Sequence, residues 1–322
     1  MTLFDSVRAV ANASGNGPID WDAVATAAKG STRAGSIDLT EREREGYAAD
    51  ARDARERITA VSGLEFDLPR TAEIQHRHHW IDANVATFRR VMEPLDRRFA
   101  GPLPGVSRVA NTGTMSFMLG FLARNVLGQY DPLLLAERPD EDHGLYFVHP
   151  NIARVSGEFG GDPDRFRRWI VFHEVTHAAE FGAAPWLTDY LETRMERGIE
   201  ALAEGRVSLD GEAFRELTAA MTVVEGYAEL LMDRAFDRRH DDLRAFLDRK
   251  RRSANPLTEF IRRAFGFDAK REQYERGRAF FEAVEAEAGL EATALVWERP
   301  GNLPTGEELD RPSAWLDRVD GR

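Results

Sequence analysis

The chain of 322 residues contains no cysteine. This absence excludes disulfide bonds, thiolate zinc sites and thiol nucleophiles, so any bound metal must be held by histidine and carboxylate side chains. Lysine is scarce as well, with three lysines against 55 aspartates and glutamates. The formal net charge of −12 disfavours phosphate backbones and anionic lipid surfaces, so we expect neither nucleic acid nor a membrane as a partner.

Long apolar runs are also missing. The most apolar segment, "TMSFMLGFLARNVLGQYDP", is too short to span a bilayer and is predicted to form a core helix. The N-terminal residues show no basic segment followed by a continuous apolar core, which a secretory signal would have. We therefore expect a soluble, cytoplasmic protein.

Strand signal is scarce. "GLYFVHPNI" (144–152) is the best candidate strand, and "RVANTG" (108–113) is a weaker one. The remaining pattern predicts a mainly α (α+β) fold in a single domain spanning residues 1–322, in which residues 1–65 form a helical N-terminal layer. Predicted helices are a charged one ending at Gly63, a long one beginning near Arg70, one over 162–181 with Asp162 as cap and Pro163 in its first turn, one over 210–236 and one over 268–289.

The stretch "FHEVTHAAEF" (172–181) contains two histidines four residues apart. On a helix this spacing places His173 and His177 on one face, where both rings can bind one tetrahedral cation. Glu174 lies about 100° further round the helix, where it can act as a general base on a metal-activated water. The alternative is a pair of hydrogen-bonded core histidines, but histidines and a glutamate in so apolar a helix need polar partners.

A catalytic zinc site of this type needs a third protein ligand. Position 183 is alanine, so a third histidine six residues downstream is excluded and the search turns to acids. The segment "VVEGYAELLMD" places Glu225, Glu229 and Asp233 four residues apart on one helix edge. We predict Glu225 as the third ligand and Glu229 as the carboxylate that accepts the remaining N–H of a ligating histidine. A solvated acidic face is the alternative reading, and Asp189 is the second candidate for the third ligand.

Other histidines and one tyrosine are weaker candidates. His76 and His79 have the spacing for a metal site, although a solvated helix face explains them better. His149 and Tyr227 are rival candidates for stabilising an oxyanion, and core packing or a local turn bond accounts for either.

Three stretches of the chain carry a resemblance to a known family. They are the run "FHEVTHAAEFGAAPWL", the block "EGYAELLMD", and the tail from "NPLTEFIRRAFGFDAKREQYERGRAFFEAV" to "LPTGEELDRPSAWLDR". The family they resemble consists of zincin-like hydrolases from actinobacteria and archaea. The resemblance covers roughly residues 70–320. It implies a zincin-like metalloprotease fold with a small β-sheet and a buried H-E-x-x-H helix, metallopeptidase activity, and, in part of the family, an association with deazaflavin coenzyme biosynthesis. Tyr227 stands where relatives often carry histidine.

Two functions follow from this reading. The first is a zinc-dependent hydrolase, a metallopeptidase acting on a peptide or protein substrate, with Zn²⁺ on His173, His177 and Glu225 and with Glu174 as general base. In that case residues 160–236 carry the metal site. The alternative is a non-catalytic zincin-fold scaffold or binding protein linked to deazaflavin coenzyme biosynthesis. A scaffold has no need of a base beside the metal, so the intact Glu174 favours the hydrolase.

Overall fold

The structure is a computed structural model that describes residues 3–15, 17–69, 72–96, 104–131, 144–203, 212–236, 240–252 and 267–321. Within these residues the fold is mainly helical with one three-stranded sheet, as the sequence predicts. The helices are α1 Leu3–Ala11, α2 Trp21–Ser31, α3 Glu41–Ser62, α4 Arg77–Asp96, α5 Pro104–Asn125, α6 His149–Phe159, α7 Pro163–Ala183, α8 Trp186–Ala203, α9 Glu212–Ala235, α10 Asp241–Arg252, α11 Phe267–Ala288, α12 Leu290–Thr293, α13 Gly306–Leu309 and α14 Pro312–Asp320.

The chain divides into two compact units, each assembled from three separate segments. Residues 1–65, predicted to form one N-terminal layer, are shared between the two units, and the division falls after Leu39. The prediction of a single domain stays a prediction. The first unit comprises Met1–Leu39, Ala72–Val155 and Met195–Ser208, and the second comprises Thr40–Thr71, Ser156–Arg194 and Leu209–Arg322.

The sheet lies in the first unit, with the strand order β1-β3-β2. β1 (Ala72–Gln75) runs parallel to β3 (Gly144–Val148), and β2 (Gly128–Asp131) runs antiparallel to β3. The central strand β3 is the most buried of the three, which fits its apolar sequence. Around the sheet, α2, α4 and α5 contribute a shared apolar cluster of Ile19, Trp21, Val24, Ala28, Trp80, Ile81, Met115, Met118, Leu119, Ala123 and Val148.

Four sequence predictions in this unit are wrong. The core helix predicted from Thr114 through the residues of β2 ends at Asn125 instead. The segment from Arg70, predicted to be helical throughout, contains β1, and its helix begins only at Arg77. Residues 108–113 lie inside α5 and form no strand. The predicted strand 144–152 ends at Val148, because His149 begins α6. Each error involves a short segment, and over so few residues periodicity does not distinguish a strand from a helix turn.

In the second unit, α3 ends at the predicted Gly63 and α7 begins at its predicted cap, Asp162. Thr40 caps α3 in a reciprocal capping box with Glu43, and Gly63 ends it at φ +70°, a left-handed conformation that favours glycine. Asp162 caps α7 by accepting a hydrogen bond from the backbone of Asp164, and Pro163 occupies the first turn. The cap predicted at Asp210 for α9 lies outside the described residues.

Charged side chains join α3 to the start of α7. Arg167 donates to Asp50 at 2.8 Å and to Asp164 at 2.7 Å, and Arg168 pairs with Asp53. The Arg167 and Asp50 side chains are only 12% and 10% exposed. These ion pairs therefore fix the two helices at the end of α7 that precedes His173.

Helices α9 and α11 touch through their backbones. A Cβ atom on Gly226 would lie 2.4 Å from the carbonyl carbon of Gly277, and one on Gly277 would lie 2.1 Å from the carbonyl oxygen of Thr222. No side chain can move aside to relieve either contact, so this crossing requires glycine on both helices. Glu225, next to Gly226, takes its position from the same crossing.

Asp233, two turns further along α9, anchors a second contact of that helix. Its carboxylate accepts hydrogen bonds from His240 at 2.8 Å and from Arg244 at 2.9 Å, and it pairs with Arg278 of α11 at 3.1 Å. Arg244 also pairs with Glu229. Burial alone would raise the pKa of Asp233, but the hydrogen bonds from His240 and Arg244 and the charges of the two arginines lower it to about 2.

Replacing Gly226 by alanine is expected to destabilise the protein by about 2–3 kcal/mol, because the new methyl group meets backbone. Gly157 in α6 is the matched control, since a Cβ there meets nothing within 4 Å. Gly157→Ala should stabilise by up to about 1 kcal/mol through helix propensity. Urea unfolding of both variants tests the contact, and equal stability of Gly226→Ala and wild type would contradict it.

Asp233→Asn is expected to lower the free energy of unfolding by about 2 kcal/mol near pH 6. A carboxylate whose pKa is lower in the folded than in the unfolded state stabilises above its unfolded pKa of about 3.9, and that stabilisation disappears as the pH falls through the folded value. The difference between wild type and variant should therefore shrink as the pH falls from about 5 towards 2. Urea titrations across this range measure it, and a constant difference would show that Asp233 is not the titrating group.

Candidate metal centre

Helix α7 carries the two histidines on one face. The rings of His173 and His177 lie 4.8 Å apart between centroids and meet edge to face. Trp169, one turn earlier, stacks almost parallel to His173 at 5.9 Å. Both histidines are partly exposed in a helix that is otherwise largely buried. A small molecule can therefore reach this face, while the rest of the helix is held by the core.

Helix α9 brings Glu225 to the histidines. One ligand atom from each of His173, His177 and Glu225 lies within 4.8 Å of the other two, and Glu225 is 3% exposed. Within the described ranges, this is the only group of three or more acidic or histidine side chains arranged to hold a metal ion.

The donor set fits a zinc ion. Two imidazole nitrogens and one glutamate oxygen are the protein ligands of one class of catalytic zinc site, in which the fourth position remains open. Zinc bonds of about 2.0–2.1 Å in a tetrahedron put the ligand atoms roughly 3.4 Å apart, so small side-chain rotations close the present spacing. Because these groups are largely withdrawn from water, a cation would also compensate the negative charge of Glu225.

Glu174 lies beside this group on α7. Its side chain is 8% exposed, and its negative charge is among those that raise the pKa of His177, which places it in the electrostatic field of that ring. A nearly buried carboxylate next to a metal ligand is suited to take a proton from a water molecule in the open position.

Glu180 is the residue of this site that sequence reasoning missed. It is fully buried, and its Oε2 lies 2.8 Å from Nδ1 of His177. Burial raises the pKa of Glu180. Burial would lower the pKa of His177, but the charge and hydrogen bond of Glu180 raise it. The sequence did contain a signal for this contact. Glu174 and Glu180 are the only acids between residues 172 and 188, and Glu180 follows His177 by three positions, which places the two side chains on one helix face.

Glu229 is placed differently from the prediction. Its carboxylate pairs with Arg244 of α10, while the carboxylate at Nδ1 of His177 belongs to Glu180. No lysine or arginine stands three or four residues from Glu229 on its own helix, and Arg244 comes from the following helix. A helical pattern contains no information about such a partner.

The other candidates do not join the three ligands. Asp189 is exposed on α8. Tyr227 packs between Phe281 and Trp297, with ring centroids at 5.2 Å and 5.3 Å, and burial together with the charge of Glu180 raises the pKa of its phenol. This packing accounts for the ring, and its role at an oxyanion stays a prediction.

The remaining histidine candidates belong to the first unit. His149 is the first residue of α6, and its predicted role is untested. His76 and His79 stack at 4.1 Å, with the backbone N–H of His79 donating to Nδ1 of His76. That local hydrogen bond agrees with the non-metal interpretation of the pair.

The comparisons with known proteins define the class. The chain matches the zincin-like metallopeptidase family over residues 19–210 and 201–316. It therefore belongs to that family. It is also 31% identical to a protein from Chloroflexus aurantiacus whose crystal structure is described as a "putative hydrolase with a novel fold"; the match covers 94% of this chain and 99% of that one, with a TM-score of 0.77. No curated protein matches the chain.

None of the described helices is both long and apolar enough to cross a membrane. The helix predicted from the most apolar segment is α5, whose residues Met115, Met118 and Leu119 belong to the core of the first unit. Packing in the core therefore accounts for these three residues, whereas Phe117 of the same helix is exposed.

Proposed function

We propose that this protein is a zinc-dependent hydrolase that cleaves peptide bonds at the face of α7. The observation that carries the proposal is the convergence of His173, His177 and Glu225 beside the nearly buried Glu174. Membership of the zincin-like metallopeptidase family supports it, as does the similarity to a protein described as a hydrolase.

Each of these four residues has its own role in the proposed reaction. His173, His177 and Glu225 would hold the ion, which supplies Lewis acidity that lowers the pKa of water and polarises a carbonyl group. Glu174 accepts the proton of the attacking water and passes it to the leaving amine. Partial exposure of the two histidines leaves a route for a peptide to this face, while the buried surroundings of Glu174 and Glu225 keep bulk water away.

Protein purified without added metal is expected to contain about one zinc ion per chain. His173→Ala and Glu225→Ala each remove one of three ligands and should lose most of it, since a two-ligand site binds weakly. Asp189→Ala is the control, because Asp189 is an exposed acid near the same helix and should keep the full content. Elemental analysis measures the zinc content of each protein. A zinc content that is unchanged in both ligand variants would show that the metal binds elsewhere.

Glu174→Gln is expected to reduce peptide hydrolysis by roughly 10²–10⁴-fold while zinc stays bound, because the amide keeps the shape of the side chain but cannot take a proton. Cleavage of a fluorogenic peptide library by wild type and variant, beside zinc content, provides the measurement. Full activity in the variant would remove Glu174 from the mechanism. Zinc-loaded wild type that cleaves nothing, and loses only stability on chelation, would instead support the scaffold function.

A further inference from the structure

We infer that Glu180 is the positioning residue of this metal centre: it accepts the Nδ1–H of His177 and so presents the opposite nitrogen, Nε2, to the cation. The inference rests on the proposed function and assigns within it a residue that the family motif does not contain. It also moves this role from Glu229, where the spacing of the acids on α9 had placed it.

The contact itself is the first support. Glu180 Oε2 lies 2.8 Å from His177 Nδ1, a distance at which the carboxylate accepts a hydrogen bond from the tautomer that carries the ring proton on Nδ1. In that tautomer, Nε2 carries the lone pair that a metal needs. Metal-bound histidines generally have such an acceptor behind them, and it both orients the ring and strengthens its basicity.

The burial of Glu180 is the second support. Its side chain has no exposed surface, so a carboxylate there has lost its contact with water. His177 is the only cationic or hydrogen-donating side chain that the described contacts give to Glu180. A carboxylate in such a position lowers stability unless a positive charge is nearby, and a divalent ion on the far side of the His177 ring supplies one.

The arginine partner of Glu229 indicates a different role for that residue. Arg244 of α10 pairs with Glu229 and also with Asp233, so Glu229 belongs to the charge cluster that joins α9 to α10 and α11. Glu180 and Glu229 are thus two glutamates with separate functions: one aligns a ligand and the other holds the helix that carries Glu225.

The test compares zinc affinity, by competition with a chelator, and thermal unfolding of the zinc-free protein. The proteins are wild type, Glu180→Met, Glu180→Gln, Glu229→Gln and His173→Ala. Glu180→Met removes the acceptor and should weaken zinc binding by about 10–100-fold. Glu180→Gln keeps an oxygen that can accept from Nδ1–H and should recover part of that loss. Glu229→Gln should bind zinc within about twofold of wild type.

Stability separates positioning from a merely structural role. Removing a buried carboxylate should leave the zinc-free melting temperature of both Glu180 variants equal to that of wild type or higher, although their zinc affinity falls. By contrast, Glu229→Gln should melt at a lower temperature, because Arg244 loses one of its two carboxylate partners.

Three results would overturn the inference. In the first, Glu180→Met binds zinc as tightly as wild type. In the second, zinc-free Glu180→Met melts at a temperature well below that of wild type, and in the third, Glu229→Gln loses as much zinc affinity as Glu180→Met. In each of these cases a loss of zinc by His173→Ala would leave the proposed metal site intact. Zinc binding that His173→Ala does not weaken would instead refute the proposed function, and the role of Glu180 with it.

Discussion

The second unit is organised around the cost of burying negative charge. Glu174, Glu180 and Glu225 are each less than a tenth exposed, and two histidines are the polar side chains beside them. Ionised carboxylates withdrawn from water are costly unless hydrogen bonds or cations compensate them. Helices α7 and α9 therefore bring together side chains whose charge a divalent ion would compensate, and neighbouring contacts hold the two helices in that arrangement.

Helices α7 and α9 are each held in place by contacts with other helices. The start of α7 is fixed to α3 by Arg167 and its partners, one turn and a half before His173. Helix α9 is held at Gly226 by backbone contact with α11 and at Asp233 by His240, Arg244 and Arg278. Glu225 lies directly beside the first of these α9 contacts. Rigid support of this kind keeps ligand atoms near bonding positions before a metal arrives, which lowers the entropy lost on binding.

The two arginine clusters explain why a site rich in acids can fold. In the first cluster, Arg167 joins Asp50 of α3 to Asp164 of its own helix. In the second, Arg244 of α10 pairs with Glu229 and Asp233 of α9. These pairs compensate the charge of carboxylates on the helices that carry the candidate site.

Sequence patterns predicted the parts of this protein that depend on local chemistry. The cap at Asp162, the glycine stop at Gly63 and the limits of α11 follow from backbone rules that operate within a few residues. The pairing of His173 with His177 follows from helical spacing in the same way. Periodicity failed for β1 and at the end of β3, where four or five residues are too few to separate a strand from a helix turn.

By itself, then, the sequence determined the helices, the two α7 histidines, the adjacent Glu174 and the candidacy of Glu225, because each depends on neighbours along one helix. Only the tertiary structure decided which acids meet which partners. It placed Glu225 within reach of the histidines, paired Glu229 with Arg244 and set Glu180 behind His177. Helical spacing indicates which side chains share a helix face. The groups that contact that face come from segments distant in the sequence, so they are determined by how the helices pack.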